Sequence, residues 1–468
     1  LIFGRFFSAS AVFSLAVSMA LGVFLTPATS RADRIIGSRA LSQSEKDRHP
    51  TIVIASQAAL SDDGEHASLT LTLSEKVDLS AFVLSDPDRV ILDLPTISFD
   101  FDPGLGKPPK AKHGAAKEAP PTLIGSFRFG SFAPGRSRIV LDLAGPARVT
   151  QSELVKTAES YQLVLQLEKT DRASFRATAQ ATRLKMAAEP AEDLSAKSVA
   201  ISPSASALPR ILIDPGHGGV DSGAMVGGLI EKNVVLEFAK LLAAKLRQTG
   251  RYDVVMTRED DTFVSLGDRV KIARAANAAL FISIHADTLN EADVSGATVY
   301  TVSDKASDVQ AARVADKENQ SDSAAGVEND DAANGVNDIL FDLTRRETKA
   351  YSHVFAHTLA NYWKAAGRLN KNPERSAGFK VLTAPDVPSV LLELGYLSND
   401  KDATALTSPV WREQATTQVS TAVETFFNTR TSAPKTAEPD GDKQRPTPSA
   451  LTGQVKPVSF SDVTGTTH

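Results

Sequence analysis

The sequence predicts an open α/β domain, a mixed or parallel sheet flanked by helices, preceded by a smaller all-β sandwich. Three observations lead there. Over residues 209–430 short apolar runs alternate with amphipathic helical stretches, the pattern of a sheet covered on both faces. Over residues 50–170 the runs are shorter, alternate with period two and are separated by Gly, Pro, Asp and Ser, as paired strands are. The chain has 468 residues, and at roughly 100 to 200 residues per domain it has room for two or three cored units.

Taken in order, residues 1–32 hold Arg5, an apolar stretch over 11–25 and a small-residue exit ending in Ser30-Arg31-Ala32. This is the layout of a secretory signal peptide, too short for a comfortable membrane span, and export is expected. Sandwich strands are expected at 51–54, 67–73, 90–94, 123–129, 139–143 and 161–167. Arg89-Val90-Ile91-Leu92-Asp93-Leu94 recurs as Arg138-Ile139-Val140-Leu141-Asp142-Leu143, which suggests two similar halves stacked face to face. Residues 107–121, rich in Pro, Lys and Ala, read as a solvated basic loop. Residues 171–208 read as a flexible linker.

In the second domain a strand at 211–214 breaks at Pro215-Gly216. Residues 231–249 then place Val234, Val235, Phe238, Leu241, Leu242 and Leu246 on one helical face, stopped by Gly250. Further strands are expected at 253–257, 280–284, 296–302, 379–382 and 389–394, with helices at 266–277, 347–365 and 409–427. A long polar insertion covers 303–346, and residues 431–468 read as a disordered tail.

Composition narrows the chemistry. Hydrophobic residues make up 42% and charged residues 23%, ordinary globular values that fit neither a polytopic membrane protein nor global disorder. A formal net charge of −5 gives no electrostatic basis for binding nucleic acid. There is no cysteine, so thiolate nucleophiles and cysteine zinc sites are excluded, and any metal must sit on His, Asp or Glu.

Ligands of open α/β sheets bind outside the carboxyl ends of the strands. Three predicted strand ends carry polar residues there: Asp214-Pro215-Gly216-His217, His285-Ala286-Asp287 and Glu393-Leu394-Gly395. Glu231, which opens the helix after a glycine-rich loop, can fold back towards the first of them. Two histidines and one glutamate meet the three-ligand requirement of a catalytic zinc site with one position open. Glu393 ends an otherwise apolar strand, where burial raises a carboxyl pKa and suits it to general-base work. A strand-end histidine also serves as a hydrogen-bonded structural residue, and the residues alone leave both readings open. His353 and His357 share a helix face at i, i+4, but no HExxH motif encloses them, and they read as ordinary helix residues. His49, His66, His113 and His468 lie in polar or flanking segments.

These motifs, together with Asp221-Ser222-Gly223-Ala224, Glu231-Lys232, Ser283-Ile284-His285-Ala286-Asp287 and Glu393 to Asn399, resemble the zinc-dependent N-acetylmuramoyl-L-alanine amidases of the cell-division type. The resemblance covers nearly all of residues 210–428. It implies His217, Glu231 and His285 as zinc ligands and Glu393 as the catalytic glutamate. The implied reaction is hydrolysis of the amide between N-acetylmuramic acid and L-alanine of the peptidoglycan stem peptide, in septal wall splitting in the periplasm. The first domain looks like the AMIN domain that precedes such enzymes and is implied to hold them on the wall.

Within the insertion, residues 306–320 read as a helix with Ala311, Val314, Ala315 and Glu318 on one face. A carboxylate on a docking face is costly to bury without a cation, and zinc is the nearest candidate. Some cell-division members of the family carry such a helix, whose glutamate caps the metal until an activator displaces it. Glu318 is therefore expected as a fourth, autoinhibitory zinc ligand, with Glu328 a less helical candidate. The implied activator is a periplasmic coiled-coil protein with a degenerate peptidase domain. Two other functions are weighed: a zinc carboxypeptidase or other wall peptidase, whose peptide bond the same ligands and base would hydrolyse equally well, and a non-catalytic wall-binding scaffold, disfavoured because His217, Glu231, His285 and Glu393 are all present.

Overall fold

The computed structural model describes residues 52–107, 122–188, 208–327 and 339–432. The expected signal peptide, most of the basic loop, nearly all of the tail and Glu328 lie outside the described residues.

The first domain runs β1 (Val53–Asp62), β2 (His66–Leu73), β3 (Ser80–Leu84), β4 (Arg89–Pro95), β5 (Ile97–Phe99), β6 (Ile124–Ala133), β7 (Arg136–Leu143), β8 (Ala147–Lys156), β9 (Tyr161–Lys169) and α1 (Arg172–Ala188). Its strands form a five-stranded sheet, β5-β1-β2-β9-β8, and a four-stranded sheet, β3-β4-β7-β6. Alternation sends Val90, Leu92, Ile139 and Leu141 into a core shared with Leu69, Leu71, Leu163 and Leu165. Each such side chain contributes about 1.5–3 kcal/mol on burial.

Two expectations are corrected by this arrangement. The echoed strands are not stacked across the sandwich. They are neighbours, β4 and β7, paired antiparallel with Arg89 opposite Asp142 and Asp93 opposite Arg138. The repeated Arg and Asp thus meet across the ladder, and Arg138 grips both oxygens of Asp93 at 2.6 and 2.8 Å. The stretch read as a linker begins with α1, whose Phe175 and Ala179 are buried in the sandwich core. One aromatic anchor among Ala, Thr and Arg gives too weak a stripe to announce that helix.

The second domain runs β10 (Arg210–Pro215), β11 (Met225–Val226), β12 (Leu229–Ile230), α2 (Glu231–Gln248), β13 (Asp253–Met256), α3 (Leu266–Ala275), β14 (Leu280–His285), β15 (Ala297–Val302), α4 (Val309–Glu318), α5 (Ser321–Ala324), α6 (Ile339–Trp363), β16 (Leu369–Ala377), β17 (Ser389–Glu393), α7 (Asp400–Thr407) and α8 (Pro409–Ser432). Its sheet order is β13-β10-β14-β17-β15-β16. β13, β10, β14 and β17 are mutually parallel, and β15 runs antiparallel to β17. The expected α2 face is buried at Val234, Val235, Phe238, Leu242 and Leu246 and packs on Ile211, Ile213 and Ile282. Ser265 caps α3 by accepting from the Asp268 backbone N–H at 3.1 Å.

Residues 379–382, expected as a strand, contain a 3-10 turn, Lys380–Leu382. The strand in this region is β16, which lies at the sheet edge and pairs with β15. Its sequence, LNKNPERSA, is too polar to read as a strand, because a single-partner edge needs no apolar run. Among the described residues, no helix is long and apolar enough to cross a membrane.

Candidate metal centre

Parallel register places the site. His285 and Glu393 end adjacent strands and are paired residues, while Pro215 of β10 lies opposite Ile284. Three strand exits therefore open on one sheet border. His217 stands two residues past β10 with φ +56°, a left-handed conformation that costs a non-glycine residue about 1–2 kcal/mol. Two buried arginines hold it there. Arg269 donates to the carbonyls of Pro215 and His217 at 2.9 and 2.8 Å. Arg258 donates to those of Pro215 and Gly216 at 3.0 and 2.8 Å. Gly216 is required for space, since a Cβ there would lie 2.3 Å from the His285 ring.

The short hairpin of β11 and β12 turns the glycine-rich loop back, so that α2 begins at the site with Glu231. Its Oε2 accepts from the Ala224 N–H at 2.8 Å and its Oε1 from the Ala286 N–H at 2.9 Å. A carboxylate in the first helical turn also meets the favourable end of the helix dipole. Glu318, the last residue of α4, arrives from the insertion. The expected apolar face is the buried one: Ala311, Val314, Ala315 and Glu318.

Glu231 Oε1 lies 3.2 Å from His217 Nε2 and 3.4 Å from His285 Nδ1, and Glu318 Oε2 lies 3.4 and 2.9 Å from the same nitrogens. The ligand edges of a tetrahedral ion with bonds of about 2.0–2.1 Å are about 3.3–3.4 Å. Both nitrogens are buried without a hydrogen-bond partner. Two imidazole nitrogens aimed at converging carboxylate oxygens can be satisfied by protons or by one shared divalent cation. The four residues can thus hold a metal ion. Glu393 Oε2 accepts from the Asp287 N–H at 3.1 Å, while its Oε1 is buried without a partner.

The electrostatics follow from burial and crowding. Burial alone would lower both histidine pKa values. Glu231, Asp221 and Glu318 override it at His217, which is raised well above its ordinary value, and Glu318 and Glu231 push His285 up to about 10. Burial raises Glu393 well above the carboxylate range, with Asp287, Glu231 and Glu318 adding to it against the opposing pull of His285. Asp287 is raised to about 7 by burial, Glu318 and Glu231, with Lys317 opposing.

Sequence reasoning missed the residues that support the cluster. Asp221 Oδ2 faces His217 Nδ1 at 2.8 Å and accepts from Ser321 Oγ at 2.5 Å. It directs the other ring nitrogen, Nε2, at the cluster. Its place four residues after His217, at the head of the Asp221-Ser222-Gly223-Ala224 motif, was the available signal. Lys317 pairs with Asp287 and donates to Thr288 Oγ1 at 3.0 Å. His353 and His357 stand apart from the cluster, within reach of Thr301 Oγ1 at 3.4 Å and Glu374 Oε1 at 3.0 Å.

A mixed sheet with a buried two-histidine, two-carboxylate cluster at its strand ends, beside a partnerless glutamate oxygen, could hold a metal ion next to a proton acceptor, the arrangement that metal-dependent hydrolases use. The family model for N-acetylmuramoyl-L-alanine amidases matches residues 211–425, and that for AMIN domains matches residues 58–167. The chain is 30% identical over 376 residues to the N-acetylmuramoyl-L-alanine amidase AmiC of Neisseria meningitidis, spanning 78% of this chain and 88% of that protein. It is 36% identical over 220 residues to the amidase AmiA of Escherichia coli, spanning 47% of this chain and 76% of that one. The chain belongs to the N-acetylmuramoyl-L-alanine amidase family and carries an N-terminal AMIN domain.

Proposed function

We propose that the protein hydrolyses the amide between N-acetylmuramic acid and L-alanine in periplasmic peptidoglycan during septal wall splitting, and that it rests in a plugged state. His217, Glu231 and His285 would hold zinc, the ion that suits an imidazole and carboxylate donor set without cysteine. When bound, the ion supplies Lewis acidity towards a carbonyl oxygen and lowers the pKa of water. Asp221 fixes the His217 tautomer. Glu393 takes the proton of the attacking water and returns it to the leaving alanine nitrogen. The amide bond breaks, giving a lactyl carboxylate and a new alanine amino terminus.

The observation that carries the plugged state is Glu318 Oε2 at 2.9 and 3.4 Å from the two ligand nitrogens. It fills the position that a water or substrate oxygen needs. Asp308 at the start of α4 accepts from the Ala311 N–H and from Arg375, and Asn319 past its end exchanges hydrogen bonds with Gly378 and Lys380 at 2.8 Å each. An activator, by the family resemblance a periplasmic protein, would have to withdraw this segment. Glu318→Ala, assayed for release of labelled fragments from purified sacculi without any activator, is expected to raise the rate at least tenfold. An unchanged low rate, with Glu393→Gln inactive as control, would refute the plug.

A further inference from the structure

The segment that follows Glu318 is held by the AMIN domain. The carbonyls of Ser323, Ala324, Ala325 and Gly326 all accept hydrogen bonds from arginines on one face of the β3-β4-β7-β6 sheet. Arg89 reaches Ser323, Arg128 reaches Ala324 at 3.0 Å, and Arg138 reaches Ala325 and Gly326 at 3.1 and 3.2 Å. Alternation explains the face. Val90, Leu92, Ile139 and Leu141 point into the sandwich, so Arg89, Ile91, Arg138 and Val140 point outward.

That outward face is not solvated. Leu84, Ile91, Phe132, Ala133 and Val140 form a second apolar cluster with Val220, Phe263 and Ala325 of the catalytic domain. Phe132 and Phe263 stack with ring centres 5.9 Å apart, and the Arg138 guanidinium lies 3.4 Å above the Phe132 ring. The Val220 N–H donates to the Ser131 carbonyl at 2.9 Å. Backbone meets backbone at Gly130 and Gly219, where a Cβ on Gly130 would lie 2.5 Å from the Gly219 carbonyl carbon. The AMIN sheet therefore touches both the ligand loop just after His217 and the tail of the plug. Between those two contacts, Ser321 donates to Asp221, the carboxylate that orients His217.

We infer that the AMIN domain is an intramolecular latch on the autoinhibitory segment, clamping residues 321–327 against the catalytic domain so that Glu318 stays in the metal site. This rests on the plugged state proposed above. Glu318 and Ser323 are five positions apart with a turn of helix between them, so α4 cannot withdraw far without stripping the arginines from these carbonyls. The domain read as a wall anchor then has a second role.

The test uses the full zinc-loaded chain and two variants that open the interface from opposite sides: Arg128→Ala with Arg138→Ala on the AMIN sheet, and Ala325→Phe on the plug tail, where Ala325 is fully buried. Amide hydrogen exchange over residues 309–327 is measured alongside release from sacculi. Loss of hydrogen bonds from charged donors is expected to speed exchange in this segment by about tenfold or more. Release should rise towards that of Glu318→Ala, with no further gain when the changes are combined. Unchanged exchange over 309–327 in both variants would overturn the latch, and Ala325→Phe keeps the latch open to refutation should the arginine variant unfold the sandwich. Failure of the plug reads differently: Glu318→Ala would stay at the low basal rate while the interface variants still loosened the segment.

Discussion

Replacing Asp221 by Asn tests whether a residue that does not itself face the cluster sets its metal affinity. The carboxylate serves three donors, His217 Nδ1 and Ser321 Oγ on one oxygen and the Gly223 N–H on the other at 3.1 Å. The isosteric amide has only one oxygen. If it keeps His217, its NH2 confronts the Gly223 N–H; if it keeps Gly223, the imidazole loses its acceptor. A buried donor left without a partner costs about 1–3 kcal/mol, and loss of the charge weakens the remaining bond. The expected fall in zinc affinity is about 10–100-fold, the range typical for removing the partner of a metal-bound histidine. Competition against a chelating indicator would measure it, in the parent and in a Ser321→Ala background that separates the effect from loss of the Ser321 contact. Affinity within twofold of the parent in both backgrounds, with the fold retained, would mean that Asp221 does not set the metal affinity of His217.

Glu393→Gln is expected to lower turnover by about 10²–10⁴-fold while zinc content by elemental analysis stays unchanged; loss of zinc instead would make Glu393 a ligand. Stripping the metal with a chelator should lower the thermal midpoint, because an ion bound by the native state alone stabilises it, and an unchanged midpoint would count against the centre. Burial alone would raise the Asp214 pKa, but Arg269, Thr257 and Ser283 hold it below the ordinary value. Its stabilising contribution is therefore present above the unfolded carboxylate range near pH 4 and is lost as pH falls through the depressed native value. Asp214→Asn should cost about 3–5 kcal/mol at neutral pH and flatten the acid limb of the stability profile, checked by denaturant melts from pH 7 to 3. Phe175→Ala should destabilise the sandwich by about 3–5 kcal/mol in the same assay; an effect below 1 kcal/mol would mean that α1 is not part of that core.

What could be read from the sequence was what local pattern encodes. The runs ending at Asp214, His285 and Glu393 announced parallel strands with polar exits, and topology then brought the exits together. The face of α4 was legible because four residues at helical spacing included one that an apolar face does not tolerate alone. The Arg and Asp of the echoed strands were visible as a repeat, yet their cross-strand pairing was not, since a repeat does not say whether its copies stack or lie side by side. Arg258 and Arg269 were not legible as supports, because a charged residue in a loop or on a short helix looks solvated until tertiary structure supplies backbone carbonyls for it. The same holds for Arg89, Arg128 and Arg138, whose acceptors lie about 190 to 230 residues away in sequence.

In the proposed resting state one ion is shared by four side chains, one of them supplied by the insertion. Diffraction from crystals of the full zinc-loaded chain, collected on both sides of the zinc absorption edge, tests it most directly. A single anomalous peak is predicted about 2.0–2.2 Å from His217 Nε2, His285 Nδ1, a Glu231 oxygen and a Glu318 oxygen. A peak elsewhere, or one at this place with the Glu318 carboxylate turned away, would rule out the four-ligand resting state.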